Sequence, residues 1–269
     1  MALDFSCESN HDRHPETILF LHSLFGSGKQ SWTNVTNFLD LEKQRYYMLK
    51  PTFQTIDFTD INSMIDRLAQ LIRTATMKGV AHVVGTSFGT HIALKLLQTH
   101  PSVVSSLFLS DYRIFSPVSQ CLASAGLYMY SKFRRRRGPP LSFQQSRSLI
   151  HMFTLPEHPE RFRKRMLIVF TENGDRKRDA LRKRDALALQ EAMSGWSRVS
   201  VKVAEDQEHL WNVFDSKLFA KSVSVWTQNT EWPKELGMIR DISYEDLSNN
   251  CIIASKELML DSDSEDFRL

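Results

Sequence analysis

Short apolar runs alternate with amphipathic helical segments along most of the chain, and this alternation limits the possible folds more than any other feature. Six runs have the length and apolar character of buried strands: Thr17–Leu21, Tyr46–Leu49, Ala81–Val84, Val103–Leu109, Met166–Phe170 and Val199–Val203. Residues 61–75 carry apolar side chains at helical spacing, with Thr59 or Asp60 available as N-cap. Gly79 is placed to end that helix. Strands alternating with helices predict an α/β fold, a mostly parallel central sheet flanked by helices.

A sharp strand-to-helix turn is predicted at Gly85-Thr86-Ser87-Phe88-Gly89. An apolar strand precedes it, and an amphipathic helix over Phe88–Thr99 follows and is stopped by Pro101. The two glycines remove the side chains that would crowd such a reversal, and the reversal exposes the serine hydroxyl at the edge of the sheet. We therefore predict that Ser87 is a nucleophile.

Two other interpretations of this turn are available. It can be an ordinary turn of a doubly wound fold in which Ser87 only caps the helix. A phosphate-binding loop is disfavoured, because the turn lacks both a Lys-Ser/Thr pair and the third glycine of a dinucleotide loop.

A serine hydroxyl is a poor nucleophile at neutral pH, so it needs a base, an acid that orients the base, and donors for the oxyanion. The segment Leu21-His22-Ser23-Leu24-Phe25-Gly26-Ser27, the serine turn, a cap-sized insertion and a late histidine make the chain resemble the α/β-hydrolase superfamily. The resemblance runs from about residue 17 to about residue 226. It implies an oxyanion hole made by the backbone N–H groups of Leu24 and Phe88.

The same resemblance implies that His209 is the general base. His209 follows the last predicted strand and precedes a helical segment, and the chain order of serine, acid and histidine fits this family. A surface histidine without a catalytic role is the alternative.

The acid has several candidates. Asp175, in the loop after the strand Met166–Phe170, resembles the usual Gly-x-x-Asp position displaced by one residue and is our first choice. Asp111, at the end of the preceding strand, is the alternative that some branches of the family use. Asp179 is a weaker option, and Asp206 lies too close to His209 along the chain to be favoured.

The domain organisation is predicted from the places where the alternation of strands and helices stops. We expect an α/β-hydrolase core in residues 1–111 and 166–230, a mainly helical cap insertion in residues 112–165, and a C-terminal extension in residues 231–269 whose acidic end is flexible. Aromatic and methionine side chains in the insertion suggest a fairly apolar small-molecule substrate.

Composition excludes several classes of function. The formal net charge of +3 gives no reason to expect a nucleic-acid partner, and the run Arg134–Arg137 is most simply an exposed loop. Cys7, Cys121 and Cys251 lack disulfide or metal spacing. No metal constellation or cofactor loop is visible in the sequence, so no metal and no cofactor are predicted. With neither a signal peptide nor a membrane-spanning run, we expect a cytoplasmic protein without stable membrane insertion. The oligomeric state stays open.

Three hypotheses of function follow. The first is a serine hydrolase of small or medium carboxylic esters, lactones or thioesters. The second keeps the site but catalyses acyl transfer, cyclisation or C–C cleavage. The third is a catalytically inactive, hydrolase-like binding protein.

Overall fold

The protein is described by a computed structural model that covers residues 16–24, 26–41, 46–53, 60–115, 120, 124–125, 128–129, 142–151, 164–194, 198–232 and 239–242. The strands are β1 Thr17–Leu21, β2 Tyr47–Leu49, β3 Ala81–Thr86, β4 Val104–Ser110, β5 Arg165–Glu172, β6 Arg198–Glu205 and β7 Ile239–Asp241. The helices are α1 Gly28–Leu41, α2 Ile61–Ala75, α3 Phe88–Thr99, α4 Phe143–His151, α5 Arg176–Ser194, α6 Trp211–Phe214 and α7 Ser216–Gln228.

All seven strands form one sheet in the order β2-β1-β3-β4-β5-β6-β7. Strands β1 to β6 are parallel, and β7 pairs antiparallel with β6. The predicted α/β fold with a mostly parallel sheet is confirmed. Because parallel strands end at the same edge, the loops after β3, β4, β5 and β6 all emerge on one side of the sheet.

Successive residues of each central strand point to opposite faces of the sheet, and each face is covered. In β1, Leu19 and Leu21 pack with α2 and α3, whereas Ile18 and Phe20 pack with α1 and α7. The two apolar clusters lie on opposite sides of the strands, which explains why β1 and the centre of β5 carry apolar residues at successive positions rather than at alternate ones.

The boundaries of α2 and α3 follow local rules. Asp60 is the N-cap of α2, since its Oδ1 accepts the N–H of Ser63 at 3.0 Å. The helix ends at Ala75, so Gly79 does not terminate it, contrary to the prediction. Instead Gly79, at φ +66°, lies in the turn that leads into β3.

Two elements were not predicted. Helix α1 follows the loop after β1, and β7 lies within the C-terminal extension, where it adds a strand to the edge of the sheet. Between β4 and β5 the described residues contain α4 and no strand. The Phe143 ring packs edge-on against Tyr128 there, with ring centroids 6.1 Å apart.

Several predicted features lie outside the described residues: the arginine run at 134–137, the acidic end at 261–266, and all three cysteines. Of the helices that the structure describes, none is long and apolar enough to cross a membrane.

Candidate active site

The turn between β3 and α3 holds Ser87 in a conformation that few non-glycine residues adopt. Its φ is 50° and its ψ is −118°. The Ser87 N–H donates to the carbonyl oxygen of Ser110 at 2.9 Å, and the Ser87 carbonyl accepts the N–H of Thr90 at 3.0 Å. Ser87 is partly exposed, whereas residues 81–86 and 88–90 on either side of it are buried. Ser87 is therefore the one partly exposed residue in a segment that is otherwise buried.

Both glycines of the turn are required by close approach of the backbone. A Cβ atom on Gly85 would lie 2.5 Å from the carbonyl oxygen of Gly89, and a Cβ atom on Gly89 would overlap the carbonyl oxygen of Leu21. The start of α3 is thus packed directly on the backbone at the end of β1. Neither position can accept a side chain without moving the main chain.

The carboxylate next to His209 belongs to Asp111, which directly follows β4. Asp111 is 0% exposed and has a φ of 55°. Its Oδ1 accepts the backbone N–H of Thr171 at 3.0 Å and the Thr171 hydroxyl at 2.9 Å. Its Oδ2 accepts the hydroxyl of Ser110 at 3.3 Å and lies 3.6 Å from His209 Nδ1. Every oxygen of this buried carboxylate has a polar neighbour, as a buried charge requires.

His209 reaches Asp111 from the loop between β6 and α6. Gln207 donates its N–H to the carbonyl of Glu172 at 3.0 Å, which ties this loop to β5. The Asn173 amide also donates to the Glu208 carboxylate at 3.2 Å. The His209 side chain is 38% exposed, so one part of the imidazole faces Asp111 and another part faces solvent.

Opposing effects act on the pKa of His209. Burial is the largest and lowers the pKa, because the charged imidazolium loses hydration. The carboxylates of Asp111 and Glu208 favour the charged form, whereas the guanidinium groups of Arg182 and Arg113 oppose it. The net result is a pKa below the ordinary histidine value of 6.5.

The structure does not bring Asp175, our first choice from the sequence, beside His209. Asp175 is exposed in the loop after β5, where its Oδ1 accepts the N–H of Arg178 at 3.2 Å and its Oδ2 lies 3.3 Å from the Arg178 guanidinium. Asp179 has a different role. Its carboxylate accepts the N–H groups of Asn173 and Gly174 and so braces the same loop.

The loop after β1 is braced by His22, which is completely buried. Its Nε2 accepts the N–H of Phe53 at 3.1 Å, so its Nδ1 carries the proton and donates to the carbonyl of Ser23 at 2.6 Å. The φ of Ser23 is not positive, so its backbone conformation is open to residues other than glycine. Leu24 lies in the following turn, and Phe88 is the first residue of α3.

Sequence reasoning missed the residues that hold Asp111 in place, namely Thr171, Ser110 and Trp211. The Trp211 indole N–H donates to the Ser110 hydroxyl at 2.7 Å. The only sequence signal for Thr171 and Ser110 is a small hydroxyl residue at the carboxyl end of an apolar strand. Among the residues described, no group of three or more His, Cys, Asp or Glu side chains could hold a metal ion.

Comparison with known proteins gives one family. The sequence model described as "alpha/beta hydrolase fold" matches residues 16–232. A protein from Gibberella zeae described as "AB hydrolase superfamily protein" is 37% identical over 114 residues, which cover 40% of this chain and 39% of the relative. The match therefore spans well under half the length of that relative.

Solved structures share the fold at low sequence identity. The structure of Rv0554 from Mycobacterium tuberculosis superposes with a TM-score of 0.61 at 14% identity and covers 84% of this chain and 94% of its own. The type II thioesterase BorB, from the borrelidin biosynthetic cluster, superposes with a TM-score of 0.56 at 14% identity, over 86% of this chain and 99% of its own.

The close backbone contact at the serine turn predicts a large effect of one methyl group. We expect Gly89→Ala to lower the free energy of unfolding by about 3 kcal/mol or more, because the new Cβ forces α3 away from β1. Gly174→Ala is the matched control. Its Cβ meets nothing within 4 Å and suffers only the strain of φ +87°, about 1–2 kcal/mol. Urea denaturation followed by circular dichroism measures both, and equal losses would contradict the packing argument.

Proposed function

The chain belongs to the α/β-hydrolase family, and from this premise we propose that it is a serine hydrolase in which Ser87, His209 and Asp111 act together on a carbonyl carbon. The observation that carries the proposal is the buried Asp111 carboxylate, 3.6 Å from Nδ1 of His209. Asp111 follows the strand β4, which is paired with the strand β3 that ends next to Ser87, with Thr86 opposite Ser110. Parallel strands lie about 4.8 Å apart, so the serine turn and the Asp111 backbone are neighbours at the same sheet edge.

The proposed reaction has two halves. The Ser87 hydroxyl oxygen attacks the carbonyl carbon while its proton passes to Nε2 of His209, and Asp111 stabilises the imidazolium through Nδ1. The N–H groups of Leu24 and Phe88 hold the resulting oxyanion. The C–O or C–S bond to the leaving group then breaks as Nε2 returns the proton to the departing alcohol or thiol. Water repeats the sequence on the acyl-enzyme and releases a carboxylic acid.

Asp111 replaces Asp175 as the proposed acid because the two carboxylates have different surroundings. Asp111 is fully buried and its Oδ2 faces His209, whereas Asp175 is exposed and paired with Arg178. A catalytic acid of this kind must hold one imidazole tautomer and one ring orientation. A solvent-exposed carboxylate that caps a helix is poorly suited to that role.

We further propose that residues 112–165 form a cap over the serine and that the substrate is a small or medium, fairly apolar carboxylic ester, lactone or thioester. Two exposed apolar side chains of this insertion support an apolar substrate, since Met129 is 50% exposed and Phe143 is 45% exposed. A thioester is included because a structure of the same fold is a type II thioesterase.

Labelling with a fluorophosphonate tests the proposal directly. We expect the wild-type protein to form one covalent adduct, located at Ser87 by mass spectrometry, and Ser87→Ala to form none. Ser142→Ala, which removes an exposed serine hydroxyl at the start of α4, is the control and should label like the wild type. Absence of labelling in the wild type would favour a binding protein over an enzyme.

The choice of acid is tested by two isosteric substitutions. We expect Asp111→Asn to slow labelling of Ser87 by about 10³–10⁴-fold, because the amide holds the imidazole in the wrong tautomer. Asp175→Asn removes an exposed carboxylate and should change the rate by less than about threefold. The labelling rate of each purified variant decides between the two acids. A large loss for Asp175→Asn and a small one for Asp111→Asn would indicate that Asp175 is the acid.

The lowered pKa of His209 sets the pH dependence of labelling. Only the neutral imidazole can accept the serine proton, so the rate should rise with pH and reach half its maximum below pH 6.5. The rate of Ser87 labelling is measured from about pH 4 to about pH 9, with hydrolysis of the free probe subtracted. A midpoint above 6.5 would mean that the attraction of the carboxylates outweighs burial.

A further inference from the structure

Ser110 is the last residue of β4 and contacts both sides of the proposed site. Its carbonyl oxygen accepts the N–H of Ser87 at 2.9 Å, and its hydroxyl donates to Oδ2 of Asp111 at 3.3 Å. Ser110 is 0% exposed, and so is Trp211, whose indole lies against the same hydroxyl. One buried residue is therefore bonded to the serine turn through its backbone and to the acid through its side chain.

The direction of these hydrogen bonds is fixed by chemistry. The indole N–H of Trp211 can only donate, so the Ser110 oxygen must accept that bond, which is 2.7 Å long. The hydroxyl proton of Ser110 is then available for the other polar neighbour, Oδ2 of Asp111. Trp211 thus turns a hydroxyl that could donate or accept into a donor aimed at the carboxylate.

We propose that Ser110 is a positioning residue that acts through Asp111: its hydroxyl donates to Oδ2 and withdraws part of the negative charge from that oxygen. This is the same oxygen that lies 3.6 Å from the imidazole, whereas Thr171 binds the other one. The catalytic meaning of this contact rests on the proposed function, but the contact itself does not.

The charged groups around His209 determine the direction in which its pKa should change when Ser110 is replaced. Asp111 and Arg113 act on its pKa from the segment after β4, Arg182 from α5, and Glu208 from its own loop. Replacing Ser110 by Ala keeps all four charged groups. It removes the hydroxyl that donates to Oδ2 of Asp111 and, with it, the acceptor of the uncharged Trp211 N–H. A carboxylate that has lost a donor attracts an imidazolium more strongly, so the pKa of His209 should rise.

The test is the pKa of the His209 imidazole, measured by NMR titration of the full chain and assigned with a His209→Gln variant. For Ser110→Ala we expect an upward shift of about 0.3–0.5 pH unit from the wild-type value, since one of several interactions is lost. No shift, or a downward shift, would overturn the proposal.

Ser106→Ala is a matched control within the same strand. Ser106 is also buried, at 1% exposure, and its hydroxyl bonds to a histidine, His82 Nδ1, at 2.8 Å. The control therefore loses a buried hydroxyl from β4 without touching Asp111. A shift at His209 equal to that of Ser110→Ala would show that the effect comes from general loosening of β4 and would overturn the proposal.

Ser110→Cys guards against failure of the alanine variant to fold. It keeps the shape of the side chain with a somewhat larger atom and replaces the hydroxyl by a much weaker donor, so it should also raise the pKa of His209. The pH profile of Ser87 labelling, measured in parallel, separates the two proposals. If the pKa of His209 shifts in a protein that never labels, the role of Ser110 stands and the proposed hydrolase activity is wrong. If Ser87 labels and the pKa does not shift, the hydrolase proposal stands and the role of Ser110 is wrong.

Discussion

A carboxylate with no exposed surface constrains the whole edge of this sheet. Leaving a buried charge without partners costs a large part of the net stability of a typical domain, so both oxygens of Asp111 need donors. The donors come from different strands: Thr171 from β5 and Ser110 from β4, with the His209 imidazole approaching from the loop after β6. The parallel register of β4 and β5 is therefore also what keeps this charge satisfied, and a shift of one residue would separate Asp111 from Thr171.

Much of the fold could be predicted from the sequence because local and global signals agree. The apolar runs were buried strands because both faces of the sheet are covered, and α3 occupies the predicted residues Phe88–Thr99. Helix α1 was not predicted because Gly28–Leu41 is rich in weak helix formers, namely Gly, Ser, Thr and Asn, although Trp32 and Val35 lie at helical spacing and are buried. Strand β7 was not predicted because three residues are too few to show a strand pattern in the sequence. Its position is set by pairing with β6.

The candidate site was partly within reach of sequence reasoning. Ser87 could be singled out because the glycines on either side of it are required by the tight turn itself. The structure places His209 beside an aspartate, and the two occur in the chain order expected for the family. The choice between Asp111 and Asp175 was not local, because both follow apolar strands whose ends lie at the same edge. Asp111 turns inward at a positive φ onto Thr171, whereas Asp175 follows Gly174 and is held outside by Arg178. These contacts depend on tertiary structure, so no sequence motif predicts them.

The direct contact between the backbones at Gly89 and Leu21 has a consequence for how this protein can diverge. The spacing between the end of β1 and the start of α3 is set there by main-chain atoms. The side chain at Ser23, whose φ is not positive, can therefore change without altering this spacing, whereas the buried His22 braces the loop itself. The outer part of this loop can therefore vary in sequence while backbone packing limits how far α3 can move from β1.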